Sequence, residues 1–215
     1  MYFREAAPYR VAVLPLLDRR PPLEHQGQRP SIMFLLVWNR RIGDYYTSDL
    51  AFGGQVGEQL AKQLAAYLKT ANVFTQVDYM SLPVQEGETV SPSSLQSLDQ
   101  GQRPDYLLGG ELHHFFGSQH QHFSMFLLPL YFINAWGWQD NKGLPWGQTV
   151  IRASLYDGRN GEIVWQNRIE ASETLPQETN SMTEAAMKSF TAAAGQLATE
   201  LRQLQLESLR TPSSR

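Results

Sequence analysis

The sequence contains no cysteine. That one absence removes disulfide scaffolds, thiolate nucleophiles, cysteine-ligated zinc and iron–sulfur clusters together. Charge is also sparse. Asp, Glu, Lys and Arg make up 18% of the 215 residues and leave a net charge of −3. A dedicated nucleic-acid binder carries a basic field, so nucleic acid is not an expected partner. No run of about 18 apolar residues occurs, so no membrane-spanning helix is expected. The first residues, Met1 to Pro8, lack the apolar centre of a signal segment. The chain therefore reads either as cytosolic or as a mature portion from which a targeting segment has been removed.

Catalytic signatures are missing as well. There is no G-x-S-x-G nucleophile elbow, no G-x-G-x-x-G fingerprint, and no Lys-Ser/Thr pair at P-loop spacing. Gly53-Gly54-Gln55-Val56-Gly57 opens a helix, and it reads as a cap rather than an anion site. Nothing points to paired catalytic carboxylates. The sequence leads us to expect no catalytic residue, no metal and no cofactor, hence a protein that is not an enzyme.

What is present is the pattern of a globular domain with a real core, since 42% of residues are hydrophobic. Tyr9 to Leu17 reads as a strand carrying Val11, Val13, Leu14 and Leu16. A breaker-rich stretch follows from Asp18 to Pro30. Val56, Leu60, Leu64 and Leu68 recur every fourth residue and predict a helix over about 55–70, with Asn72 at its C-terminus. Val73 to Tyr79 reads as a half-exposed strand, with Val73, Thr75, Val77 and Tyr79 on one face. Leu82 to Arg103 is a polar loop with one helical turn at Pro92 to Leu98. Asp105 to Phe116 is a strand in which Gly109-Gly110 marks a bulge or a close backbone approach. Gln148 to Tyr156 and Glu162 to Glu170 are strands joined by a tight turn at Asp157 to Gly161. Thr183 to Ser208 is a long helix whose stripe is Ala186, Phe190, Ala194, Leu197, Leu201 and Leu204. The expected fold is α+β: a single mixed, mostly antiparallel sheet with two long helices packed on one face. We assign one domain over 1–215, ordered over 9–208, with a flexible tail at 210–215.

The histidines His113, His114, His120 and His122 cluster in sequence. His120 and His122 point to one side of a strand, whereas His113 and His114 point to opposite faces. Glu111 is the only carboxylate close by in sequence. A metal-dependent enzyme built on these four residues is the minor alternative to a polar strand and turn.

The segment from Phe123 to Trp138 is nearly all apolar, too short and too broken by Pro129 and Gly137 to span a membrane. It joins two strands where a polar loop is expected. Three readings stay open: packing on the domain's own core, a subunit or partner interface, or contact with a membrane or lipid. Its contact candidates are Phe126, Leu128, Tyr131, Phe132, Trp136 and Trp138. Ser31 to Trp38 is a second apolar run. Both exposed together would exceed the patch normal for a monomer, which predicts a homo-oligomer.

Four stretches carry a family pattern. Arg10-Val11-Ala12-Val13-Leu14-Pro15-Leu16-Leu17-Asp18 is an opening strand, and Pro104-Asp105-Tyr106-Leu107-Leu108-Gly109-Gly110-Glu111-Leu112 a central one. Ser154-Leu155-Tyr156-Asp157-Gly158-Arg159-Asn160-Gly161-Glu162-Ile163-Val164-Trp165 is a hairpin, and the helix before Phe74 completes the set. Together they resemble a group of bacterial envelope lipoproteins. That group includes the curli-secretion channel lipoprotein, the Pel-export lipoprotein, an activator lipoprotein of penicillin-binding proteins and the N-terminal domain of TolB. The resemblance implies a non-enzymatic accessory of envelope assembly or export with an envelope protein partner. It would sit at the periplasmic face of the outer membrane on a lipid anchor whose cysteine is not in this chain. The alternative is an auxiliary lipoprotein of an ABC-type lipid or solute transport system. The stretch from His113 to Trp146 is more apolar and aromatic than a minimal member of the group would carry.

Overall fold

Pro15 breaks the first strand, as a residue without an N–H must. In the computed structural model, which describes residues 6–26, 43–81, 103–121, 143–176 and 181–210, β1 spans Ala7–Val13 and ends two residues before that proline. The chain resumes as the two-residue β2, Leu17–Asp18, further along the same neighbour. The single strand expected from Tyr9 to Leu17 is therefore two. Between them, Leu14 N–H donates to Leu108 O at 2.8 Å and Leu16 N–H to Gly57 O at 3.3 Å.

The remaining strands are β3 (Gly43–Tyr46), β4 (Phe74–Tyr79), β5 (Tyr106–Gln121), β6 (Trp146–Asp157) and β7 (Ile163–Thr174). They form one sheet in the order β4-β1-β5-β6-β7, with β2 and β3 also paired to β5. β1 runs parallel to β4 and β5; β3, β5, β6 and β7 pair antiparallel. Helix α1 is the short Pro22–Gln26, α2 is Val56–Thr70 and α3 is Met182–Arg210. A 3₁₀ turn occupies Asp49–Phe52.

α2 and α3 cover the same face of the sheet. Leu60, Leu64 and Leu68 of α2 and Phe190, Leu197 and Leu201 of α3 join Val11, Val13, Leu108, Leu112, Phe115, Ile151 and Ile169 in one core. The mixed sheet with two long helices on one face stands as the sequence indicated. α3 lies close because glycines make room for it. A Cβ on Gly147 would sit 2.3 Å from Ala185 O, inside any real contact distance. α2 ends as expected at Asn72, which adopts φ 54°, while Ala71 N–H donates to Tyr67 O and Val73 N–H to Leu68 O.

Three details depart from the simple alternation. At β4, Val73 just before the strand and Phe74 and Val77 within it are buried while Thr75 is exposed, and the β1–β4 register shifts between Ala7 and Arg10. In β7, Ile163 lies opposite Tyr156 and is 53% exposed, since the β6–β7 ladder skips Val164. In β5 the bulge falls between Leu112 and His114 rather than at the glycines. Gly110 is instead a close approach: its φ is 151°, and a Cβ there would meet Arg152 O at 2.2 Å.

Candidate functional site

The β5 bulge decides where the histidines go. Leu112 and Phe115, three residues apart, both face the helix-side core. One extra residue between them turns both His113 and His114 to the opposite face. The sequence placed them on opposite faces; the bulge corrects that. His113 Nε2 lies 3.2 Å from Glu111. His114 Nδ1 donates to Glu24 Oε1 at 2.6 Å, and the N–H of Phe115 donates to Glu24 Oε2 at 3.0 Å. Each of these histidines is thus taken up by its own carboxylate. His120 lies on β5, and its side chain and all of His122 lie outside the described residues.

Glu24 is only 4% exposed and sits on α1, in the stretch the sequence read as loop. Beside it is a denser charged group. The Arg20 side chain is 1% exposed. Its Nη2 donates to Asp18 Oδ2 at 2.6 Å and to Asp49 Oδ2 at 3.0 Å. Its Nη1 donates to Asp49 Oδ1 at 3.0 Å and to the carbonyl of Phe115 at 3.3 Å. Its Nε donates to both Asp18 oxygens, at 3.0 and 3.2 Å. His25 closes the ring: Nε2 donates to Arg20 O at 3.1 Å, and Nδ1 lies 3.0 Å from Asp49 Oδ2.

The electrostatics follow from this packing. Burial pulls the Arg20 guanidinium down, but hydrogen bonds to Asp18 and Asp49 outweigh it and hold it above its ordinary value. Burial pushes the Asp18 carboxyl up, and Arg20 more than reverses that, so Asp18 ends below its ordinary range. Asp18, His25 and Asp49 bring one ligand atom each within 4.8 Å of one another, the arrangement a divalent cation needs. The donor set does not suit one, however. Every carboxylate oxygen already accepts from Arg20, so the guanidinium occupies the place of the cation. We read the group as a lock joining the chain after β2, α1 and the 3₁₀ turn to β5. Sequence reasoning missed it. Asp18 and Asp49 are 31 positions apart in the sequence, and no periodicity links them.

Next along β5 is an aromatic cluster. Phe116 meets Tyr46 and Trp146 edge-on, each with ring centroids 5.1 Å apart. Here the sheet also receives the two apolar runs. Gly43, first residue of β3, is paired with Gln121, last residue of β5. Ser31 to Trp38 precedes Gly43, and Phe123 to Trp138 follows Gln121 and leads to Trp146. Both runs, and with them Phe126, Leu128, Tyr131, Phe132, Trp136 and Trp138, lie outside the described residues, as do most of the polar loop from Leu82 and the C-terminal tail. No helix of the described residues is long and apolar enough to cross a membrane.

No protein-family model matches the chain, and no curated protein matches it. Solved structures do. Protein XCC0632 from Xanthomonas campestris, of family DUF330, is 10% identical, with 96% of this chain and 91% of that one aligned at a TM-score of 0.52. A PelC dodecamer from Paraburkholderia phytofirmans is 13% identical over 94% of each chain, TM-score 0.44. Lipoprotein GNA1162 from Neisseria meningitidis is 15% identical over 89% of this chain and 99% of that one, TM-score 0.35. The similarity to the Xanthomonas protein shows a shared fold, and at these identities it shows the fold alone.

Proposed function

We propose that this chain is a non-enzymatic accessory of bacterial envelope assembly or export, held at the periplasmic face of the outer membrane by a lipid anchor and working as a homo-oligomer. The observation that carries the reading is topological. The sheet pairs Gly43, five residues after the end of one apolar run, with Gln121, two residues before the start of the other. Two sequence-distant apolar runs thereby join the sheet at one end, next to the cluster of Tyr46, Phe116 and Trp146. A contiguous apolar surface beyond a few hundred Å² marks an interaction site. The resemblance to the envelope lipoprotein group supports the cellular setting. Its opening, central and hairpin motifs fall on β1, on β5 and on the β6–β7 hairpin of the one sheet.

In this reading Phe126, Leu128, Tyr131, Phe132, Trp136 and Trp138 supply the contact set. The PelC assembly is a dodecamer; the argument for an oligomer here stands on this chain's own apolar runs. The test is the double variant Tyr131→Ser/Trp136→Ser. Loss of assembly with unchanged thermal unfolding supports a contact surface. Loss of the fold itself assigns the segment to the core and removes the reading. Contact with lipid, as an auxiliary lipoprotein of an ABC-type transport system would make, gives detergent or liposome binding in place of assembly through this segment.

A further inference from the structure

We propose that β7 is the contact strand of a two-fold dimer, in which β7 of a second copy adds antiparallel to it with Ile169 at the centre. This surface is separate from the 123–138 segment, and the inference does not depend on the function proposed above.

β7 ends the sheet, pairing only with β6 among the described residues. Its flank is open: Gln166, Asn167 and Arg168 are exposed in succession, and Val164 is 48% exposed. Two observations show which backbone groups point outward. The N–H of Arg168 donates to Asn167 Oδ1 at 2.8 Å. Arg152, opposite Arg168 in register, turns its carbonyl the other way, toward Gly110 of β5, where an added Cβ would meet it at 2.2 Å. Arg152 and Arg168 therefore form a non-hydrogen-bonded pair. By the period of two, Gln166, Arg168, Glu170 and Ser172 present N–H and C=O to the open side.

An antiparallel ladder between two copies has to join members of that set, and charge selects among its registers. Centred on Arg168, the arginines oppose each other. Centred on Glu170, the glutamates do. Centred on Ile169, Arg168 of each copy faces Glu170 of the other, twice by symmetry. Both side chains lie on the face away from the helices, because Ile169 and Ala171 between and beside them enter the helix-side core. They are 62% and 51% exposed and 3.5 Å apart within the chain. Asn167 guards the edge. It occupies the N–H of Arg168 and is itself tethered through Nδ2 to Glu200 Oε2 at 2.6 Å. Strand addition takes that N–H from it.

The test is sedimentation equilibrium of the full chain, with far-UV circular dichroism to confirm folding. Arg168→Glu and Glu170→Arg each raise the dissociation constant about tenfold or more, since each puts two like-charged pairs in register. The exchange Arg168→Glu/Glu170→Arg restores association, because the swapped pair is again self-complementary. Asn167→Val tightens it by freeing the N–H. A chain that does not associate through this edge gives the same mass for all four variants, which overturns the proposal. A head-to-tail contact between β7 and β4 responds to the single reversals but is not rescued by the exchange, and that result overturns it too. The Tyr131→Ser/Trp136→Ser variant leaves this contact in place, so the two interfaces fail separately.

Discussion

Replacing Arg20 with methionine removes a guanidinium whose side chain is 1% exposed and which serves two carboxylates from different elements. Methionine keeps the apolar stem but is shorter by two atoms, so the loss is dominated by the missing guanidinium interactions. Taking one partner from a buried ion pair costs about 3–5 kcal/mol, because the remaining charge is left uncompensated. Here the lower end applies. The Asp18 and Asp49 side chains keep 29% and 20% of their exposure and can draw in water. The carbonyl of Phe115 loses a donor as well. The expected cost is about 3 kcal/mol, which for a chain of this size lowers Tm by about 6–12 °C. Urea unfolding followed by far-UV circular dichroism and a thermal scan both read it. Arg20→Lys keeps the charge but not the fork, and should lose less than half as much. A loss under about 1 kcal/mol for Arg20→Met would refute the lock.

Other consequences are as direct. Glu24→Ala orphans the N–H of Phe115 and the Nδ1 of His114; the expected cost is about 1–3 kcal/mol, with faster hydrogen exchange at the Phe115 amide as its specific mark. Asp18 sits below its ordinary value of 3.8 because Arg20 favours the carboxylate over the opposing pull of burial. A depressed carboxyl contributes stability above its unfolded value, and that contribution fades as pH falls through the lower folded one. Asp18→Asn should therefore flatten the acid side of the stability curve below about pH 4 and be least stable, relative to the parent, near neutrality. Gly147→Val drives its side chain into the Ala185 carbonyl, which lies 2.3 Å from the Cβ position; α3 must shift, at about 2 kcal/mol or more, visible as a drop in urea midpoint.

The long elements were legible because their signals are local and periodic. The α2 stripe of Val56, Leu60, Leu64 and Leu68 and the α3 stripe through Leu201 are all buried as the spacing requires. The Asp157 to Gly161 turn forms with Gly161 at φ 76°. What failed was whatever depends on register between strands. The bulge at His113 reverses the facing of one histidine, and the skipped Val164 exposes Ile163. Neither leaves a mark in composition. β3 and α1 were missed because they are short and take their stability from β5 rather than from propensity. The Arg20 lock was invisible for the same reason: Asp49 reaches Arg20 only once the 3₁₀ turn has folded back onto the sheet. Of the four clustered histidines, His113 pairs with Glu111 and His114 with Glu24 on one face of β5, while the side chains of His120 and His122 lie outside the described residues.

The central proposal is that the chain works through its two apolar runs, whose flanking residues Gly43 and Gln121 pair in the sheet. Absolute mass by light scattering, in buffer without detergent, tests it most directly. The account predicts a discrete assembly larger than a dimer for the parent chain, falling to a dimer or smaller in Tyr131→Ser/Trp136→Ser while its melting temperature stays unchanged. A parent chain that never exceeds a dimer, or a variant whose mass equals that of the parent, would contradict it.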